Sequence, residues 1–409
     1  MDLRLREALT ALPRFDLAAD RTGVPCKICG SPTSFFDVTD FNKCAMLEDN
    51  YKFGAAGIAV DWHQCQTCWF VFTTFFDDWT PEDFSTFVYN DDYVKIDGEY
   101  VATRPERTAV AAARLLRGLE STRILDYGSG AGVFAQQMAA HGFSRVENYD
   151  PFSSPARPIG QFDVITCFEV VEHAPDPIGT FTDIAAFLAP GGTVIVGTAL
   201  QPPDFDAIRA NWWYAAPRNG HASLYSDAAL AVAASRVGLR FHPGGMHAFT
   251  SPVDGPLVAL TEERIGLPLF FANLGAPPIG AAEGWHGVET QPRGAYRWTA
   301  ERRIAWTVDL PRGNWRLQVR VPVWAKATDG ECTMTMNDHA VVVRDLGSFY
   351  AAESETPLVG EVTIALTTPP THSPHELKGS PDMRRLGLGV PILDPEGLVP
   401  VGRHARRRP

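Results

Sequence analysis

A short apolar run, Ile124-Leu125-Asp126-Tyr127, passes directly into Gly128-Ser129-Gly130-Ala131-Gly132 and then into a helix that begins near Phe134. Three alternate glycines there either close a strand–helix corner or make room for a ligand. Glycine accepts positive φ and lacks a Cβ, so such a turn lets the amides at a helix N-terminus approach a polar, often anionic, ligand group. The pattern predicts an α/β unit whose strand end holds a nucleotide-like cofactor.

Spacing separates two cofactor classes. A dinucleotide fingerprint requires a third glycine three residues after the second, where helix and strand pack together. Val133 occupies that position, and the next apolar run, Arg145 to Tyr149, ends on the acidic Asp150. This arrangement resembles the class I S-adenosylmethionine (SAM) methyltransferases. The resemblance implies a cofactor site built from Asp126, Gly128, Ser129, Gly130, Gly132 and Asp150, with Asp150 binding both ribose hydroxyls. Two further segments extend it in order and spacing. Gln161 to His173 reads as a buried strand with a polar edge, and Leu188 to Gly197 as a helix end, a turn and another buried strand.

Between Asp150 and Phe162 the chain is too short and too rich in proline for a full helix plus a third strand. The adenine-binding segment usual in that family is therefore expected to be abbreviated. Pro151-Phe152 or the Cys167-Phe168-Glu169 edge would supply adenine contacts.

Length and charge bound the rest. A chain of 409 residues exceeds one ordinary core, which implies two or three domains. The formal charge of −12 argues against a broad nucleic-acid surface. Arg403, Arg406, Arg407 and Arg408 form a basic tail, expected to be a solvated end. No apolar run is long enough to cross a membrane, and residues 1–20 lack a signal-peptide core, although Leu3, Leu5, Leu9 and Leu12 suggest a short amphipathic helix. The expected location is cytoplasmic, where the seven cysteines stay reduced.

Four of those cysteines form two knuckles, Cys26-Lys27-Ile28-Cys29 and Cys65-Gln66-Thr67-Cys68. Two CxxC pairs joined by a segment that can fold back suit a tetrahedral structural zinc, and the run after Cys68 reads as a zinc-ribbon strand. Redox thiols are the competing use of the same motif. Cys44 and His63 are spare ligand candidates. A zinc module before a class I methyltransferase domain resembles the sugar C-methyltransferases that act on nucleotide-linked deoxysugars, over roughly residues 20 to 250.

Residues Tyr89-Asn90-Asp91-Asp92-Tyr93, Tyr100 and Arg104 precede the helix that leads into the glycine strand. Aromatic faces can cover a sulfonium and a guanidinium can pair with the methionine carboxylate, and the same aromatics equally suit a lid packed on the core. Methyl transfer to a hydroxyl or carbon acid also requires a proton acceptor, for which histidine is suited near neutral pH. His173 follows Glu172 beyond the fourth strand. His221 lies in the loop Gln201 to Ser223, with Trp212, Trp213, Tyr214, Pro217, Arg218 and Asn219, a set that fits a sugar or another polar ring. By resemblance to sugar methyltransferases, this loop supplies the base, which implies His221 with Tyr214 beside it; His173, outside the loop, is the second candidate, and a substrate-orienting or helix-entry role is the alternative.

After Pro278 short alternating runs take over: Ile304–Val308, Trp315–Val321, Cys332–Met336, Ala340–Val343 and Val362–Leu366. They predict a β-sandwich. With Gly284-Trp285 and the polar run Ser373 to Gly387, this part resembles a module appended to bacterial glycosyltransferases and surface-glycan enzymes. That implies carbohydrate or glycosyltransferase binding; internal pairing of Asp382, Arg384 and Arg385 is the structural alternative.

The expected architecture is an N-terminal helix and zinc ribbon over 1–80, a Rossmann-like α/β methyltransferase domain over 81–255, a connector over 256–280, a β-sandwich over 281–396 and a basic tail over 397–409. The expected chemistry is SAM-dependent methylation of a saccharide, at oxygen in preference to carbon. A non-sugar acceptor and a glycan-binding scaffold with a vestigial SAM fold are the alternatives.

Overall fold

The computed structural model describes residues 24–46, 49–152, 156–274, 285–291, 294–300, 303–320, 332–345, 349–354, 356–367 and 389–391. The chain divides into two compact units, residues 1–266 and 267–409. The N-terminal leucines, Gly284, the Ser373–Gly387 run and the basic tail lie outside the described residues.

The first unit is built on two sheets. In the larger, strands β4 (Ile124–Tyr127), β5 (Val146–Tyr149), β6 (Phe162–Phe168) and β7 (Leu188–Gly197) run parallel, with β4 between β5 and β6. An antiparallel pair, β9 (Arg240–His242) and β10 (His247–Thr250), continues the sheet beyond β7. The order is β5-β4-β6-β7-β10-β9. Among the described residues no strand forms between Asp150 and Phe162, so the abbreviated segment read from the sequence is present in the fold. Ile124, Leu125, Val164, Ile165, Val194 and Ile195 are fully buried. Near-continuous apolar strands of this kind require cover on both faces.

Helices Thr103–Leu115 (α2) and Val133–Ala140 (α3) pack their Ala109, Ala112, Phe134 and Met138 into one cluster with Ile124, Val164 and Ile195. The helix Pro177–Phe187 (α4) enters β7. Asp176 caps it by accepting from the Gly179 amide at 2.9 Å, with Pro177 in the first turn where its missing N–H costs nothing. Leu188, read from sequence as a helix end, already pairs with Phe162, and the ladder resumes at Thr193 after Pro190-Gly191-Gly192 bulge out. Two more helices complete this part, Asp227–Arg236 (α5) and Pro256–Arg264 (α6).

The smaller sheet is antiparallel, β1 (Thr33–Asp40), β2 (Ala59–Cys65), β3 (Val71–Phe72) and β8 (Ser223–Leu224), in that order. Its last member comes from the far side of the chain. Val71 pairs with Leu224 and Phe72 with Ser223, two residues beyond His221. An aromatic core of Phe41, Trp62, Phe76, Phe84, Trp212 and Tyr214 joins the cysteine-bearing segment to the 205–222 loop. Helix Pro81–Phe87 (α1) caps this part with a full capping box between Thr80 and Asp83.

Every regular element described in the second unit is a strand. The long β14 (Arg303–Arg320) pairs through its first half with β19 (Leu358–Thr367) and through its second half with β18 (Phe349–Glu353) and, in parallel, β11 (Leu269–Leu274). The break falls at Leu310/Gly313. A hairpin joins β15 (Thr333–Met336) to β16 (His339–Val341), and its turn residues Asn337 and Asp338 both have positive φ, as a tight two-residue hairpin requires. Met334, Met336, Ile364 and Leu366 fill the core beneath it. Of the five strand runs read from the sequence, Ile304–Val308 and Trp315–Arg320 belong to the single strand β14, Thr333–Met336 and Val362–Leu366 lie on β15 and β19, and Ala340–Val343 is broken at Val342; Val321 lies outside the described residues.

Candidate functional site

The sheet order reverses at β4, since β5 lies on one side of it and β6 on the other, and ligands of open α/β sheets bind beyond the strand ends at such a point. The glycine turn sits there. Gly128, Gly130 and Gly132 all have positive φ, of 79°, 49° and 75°. A Cβ on Gly128 would meet Val170 Cγ2 at 2.3 Å and one on Gly132 would meet Asn148 Nδ2 at 2.8 Å, whereas one on Gly130 would meet nothing within 4 Å. The outer two glycines are there for packing. The middle one faces open space, where a ligand can approach backbone.

Asp150 closes the turn. Its carboxylate accepts from the Gly130 amide at 3.0 Å and the Phe152 amide at 2.9 Å, which fixes the group read as the ribose ligand. Asp126 lies beneath, buried, and accepts from the Thr166 hydroxyl at 3.0 Å. Burial pushes its carboxyl up to about 7, with the nearby Asp150 charge adding to the rise. Residues Gly128 to Gly132 with Asp150 fit a SAM-like group by shape, with open space over Gly130 and an anchored carboxylate, while the amides of Gly128, Ser129, Gly130 and Gly132 are spent on Tyr149, Asp150 and Ser129.

A cavity of about 430 Å³ lies at the ends of β6 and β7, lined among others by Arg104, Phe168, Glu169, Gly197, Tyr214 and His221. The glycine turn does not line it, but packing links the two: the Phe168 ring lies 5.3 Å from that of Phe134 of α3, tilted by 56°, and Val170, next to Glu169, is the side chain a Cβ at Gly128 would meet. Arg104, expected on a cofactor carboxylate, forms a bidentate pair with Asp97 at 2.6 and 3.0 Å and lies 3.9 Å from Glu169. Its charge is thus shared among two carboxylates at the cavity wall. Glu169 has φ of 54°, a strained backbone position for a side chain of its size.

The two histidines occupy different depths. His221 lines the cavity and is 4% exposed. Its Nδ1 lies 2.7 Å from the Tyr214 carbonyl oxygen, so Nδ1 carries the proton and Nε2 holds the lone pair. Burial holds its pKa well below the ordinary histidine value, so the ring is neutral at pH 7. His173 lies behind it, its ring 4.8 Å from that of His221, with Nδ1 3.2 Å from the Tyr89 hydroxyl. Burial lowers it to about 4. Tyr214 donates its hydroxyl to Glu172 Oε1 at 2.7 Å, and Glu172 is fully buried. Tyr89, Tyr93 and Tyr100 form a chain of rings 5.2 and 5.0 Å apart; Tyr93 is buried while Tyr89 and Tyr100 stay open to solvent.

Sequence reasoning missed Lys43. Its ammonium is buried and donates to the Trp212 and Ala215 carbonyls, each at 2.7 Å, clamping the loop that carries Tyr214. Burial lowers it to about 8. Only a lysine amid apolar neighbours marks it in the sequence.

The four knuckle cysteines converge. Cys26 and Cys68 sulfurs are 3.7 Å apart, Cys29 and Cys65 3.4 Å, and Cys29 and Cys68 3.7 Å. A tetrahedron of thiolates around zinc has sulfurs about 3.8 Å apart, from the usual 2.3 Å metal–sulfur bond. Backbone amides of Ile28, Cys29, Thr67 and Cys68 point at the Cys26 and Cys65 sulfurs at 3.3 to 3.5 Å. The donor set therefore fits a zinc ion. Cys44 and His63 take no part: Cys44 donates to the Asp49 carbonyl and His63 bonds Asp61.

Residues 100–242 match the family model described as a methyltransferase domain. Among curated proteins, the chain is 30% identical to the ubiquinone biosynthesis O-methyltransferase of Xanthomonas campestris pv. campestris, over 25% of this chain and 52% of that one. It is also 30% identical to the enzyme of the same name in Bordetella pertussis, over 31% of this chain and 65% of that one. The chain thus spans between half and two thirds of these relatives. Among solved structures, an O-methyltransferase family protein from Burkholderia thailandensis aligns with 14% identity over 42% of this chain and 63% of that one, with a TM-score of 0.32. The central part of the chain is a Rossmann-like methyltransferase domain, preceded by a cysteine cluster and followed by strands. No helix among the described residues is long and apolar enough to cross a membrane.

Proposed function

We propose that this chain methylates a hydroxyl oxygen of a saccharide, using SAM held by Gly128, Ser129, Gly130, Gly132 and Asp150, with Phe168 and Glu169 at the border between cofactor and acceptor. When bound, SAM supplies a methyl group on a positively charged sulfur, which transfer leaves as a neutral thioether. The observation that carries the reading is His221: a neutral imidazole whose Nδ1–H is committed to the Tyr214 carbonyl and which belongs to the cavity wall. An attacking hydroxyl must lose its proton as the new carbon–oxygen bond forms, and His221 is the group through which that proton is drawn off. Phe168, Trp213 and Tyr214 give the cavity aromatic surfaces and Asn219, Arg104 and Glu169 polar groups, which suits a hydroxylated ring.

Oxygen is favoured over carbon because the relatives above are named O-methyltransferases. Those same names favour, as second reading, a hydroxylated aromatic ring in the same cavity. The cysteine cluster holds a structural zinc, and the C-terminal strands form a β-sandwich that engages glycan or a glycosyltransferase. Localisation is read as cytoplasmic.

Calorimetric titration of the full-length, zinc-loaded protein with S-adenosylhomocysteine, beside an Asp150→Ala control, tests the cofactor site. Saturable binding lost in the control supports the reading, and turnover of nucleotide-linked sugars against catechols then selects the acceptor. Absence of binding by folded protein would remove methyl transfer and leave the glycan-binding scaffold.

A further inference from the structure

Glu172, His173 and His221 each offer a ligand atom, and the three atoms lie within 4.8 Å of one another. Glu172 is fully buried, and its Oε2 has no hydrogen-bond partner. We propose that these three residues form a binding site for a divalent first-row cation, at the wall of the cavity, with an open coordination position for an oxygen of the acceptor.

The outer hydrogen bonds support this more strongly than proximity does. Metal-binding histidines hold their second nitrogen on a carboxylate, backbone carbonyl or water; a carbonyl or carboxylate, which only accepts, fixes the tautomer and aims the free lone pair, whereas a hydroxyl fits either tautomer. Here His221 Nδ1 is held by the Tyr214 carbonyl at 2.7 Å, and His173 Nδ1 lies 3.2 Å from the Tyr89 hydroxyl. Tyr214 also holds Glu172 Oε1 at 2.7 Å, leaving Oε2 free. One tyrosine thus orients two ligands through different atoms. The remaining nitrogen of His173 lies 3.9 Å from Glu172 Oε1. A buried carboxyl with one oxygen unsatisfied is costly in either protonation state, and a cation satisfies it together with both lone pairs.

Two imidazoles and one carboxylate suit zinc, manganese, iron or cobalt, and three protein ligands with one open position describe a catalytic rather than a closed site. His221 reaches the cavity, so the open position faces it. Only the role of the cation rests on the methyl-transfer reading. An acceptor hydroxyl on the cation becomes acidic, its proton leaves to water, and its oxygen attacks the methyl carbon while the carbon–sulfur electron pair stays on sulfur. His221 then serves as a ligand, and no longer takes the proton itself.

The test is titration of full-length, zinc-loaded protein with Mn2+ followed by electron paramagnetic resonance, with and without S-adenosylhomocysteine, while cysteine-bound zinc is counted separately. One Mn2+ per chain is expected, lost in Glu172→Gln and His173→Gln. Should either fail to fold, Tyr214→Phe removes only a hydroxyl and is expected to weaken Mn2+ binding about 10-fold or more. Wild-type protein that binds S-adenosylhomocysteine but no Mn2+, and no Co2+ beyond the thiolate site, overturns the cation site and leaves methyl transfer standing. Mn2+ binding unchanged in all three variants overturns it equally. Mn2+ bound without any S-adenosylhomocysteine binding supports the site and removes the role assigned to it.

Discussion

The ring nitrogen Nδ1 of His221 sits 2.7 Å from the backbone oxygen of Tyr214, seven residues earlier in the chain. A backbone acceptor cannot be lost by side-chain substitution, so the orientation of His221 depends on the shape of the 214–221 loop. His221→Ala is expected to lower kcat by about 100-fold or more, whether the imidazole takes the acceptor proton or holds the cation that acidifies it. S-adenosylhomocysteine affinity should stay within a factor of two or so, since no observed contact ties His221 to the glycine turn. Unchanged turnover would remove it from the mechanism.

The glycines of the turn should separate folding from binding. Gly128→Ala places a methyl 2.3 Å from Val170 Cγ2 at φ of 79°, and is expected to destabilise by about 3 kcal/mol. Gly130→Ala meets open space, so only the left-handed backbone is penalised, at about 1 kcal/mol. Chemical denaturation should rank them in that order. Calorimetry should find that Gly130→Ala, though folded, loses S-adenosylhomocysteine binding by about tenfold; full affinity would mean the turn does not contact the cofactor.

Purified protein should carry about one zinc per chain, as a four-thiolate site requires. Cys26→Ser and Cys65→Ser should lose it. Metal analysis showing full zinc in both would dismiss the site.

Lys43→Met leaves the Ala215 carbonyl without its donor, while the Trp212 carbonyl keeps the Ala215 amide at 3.1 Å. Loss of about 1–3 kcal/mol is expected from one buried unsatisfied acceptor. Cofactor affinity should be kept while kcat falls, because the loop that bears Tyr214 and His221 is released. Equal losses in both would indicate general unfolding.

His242 reports on pH. It is fully buried, donating from Nδ1 to the Gly266 carbonyl and accepting at Nε2 from the Thr250 hydroxyl, each at 2.8 Å. Burial lowers its pKa to about 4, below the unfolded value of 6.5. Below pH 6.5 the unfolded chain binds the extra proton, so stability is lost as pH falls from about 6.5 to about 4, by roughly 3 kcal/mol in all. His242→Gln, which can keep both bonds, should show a shallower fall in melting temperature over that window. An identical fall would place the pH dependence elsewhere.

The glycine turn, the parallel strands and the two cysteine knuckles were legible because each is a local pattern with a local cause: positive φ, continuous apolar runs, paired thiolates. The shortened stretch after Asp150 was legible for the same reason. Cross-chain relationships were not. Nothing near Lys43 in the sequence indicates that its ammonium closes a loop about 170 residues away, and Arg104 has Asp97, seven residues back, as partner through the fold of that segment. The double use of Tyr214, hydroxyl to Glu172 and carbonyl to His221, arises only once α4, β8 and the 205–222 loop are packed.

The pairing of Val71 and Phe72 with Leu224 and Ser223 bears on how this protein can be cut. A shortened chain beginning at residue 81 would retain every residue of the glycine turn, yet would strip β8 of its neighbour and expose a bare strand edge. Ser226, whose hydroxyl donates to the Cys68 carbonyl at 2.6 Å, would lose that acceptor as well. Bare edges of this kind recruit other chains. A methyltransferase domain of this fold, excised from the cysteine-bearing segment, is expected to aggregate rather than to act as an independent enzyme.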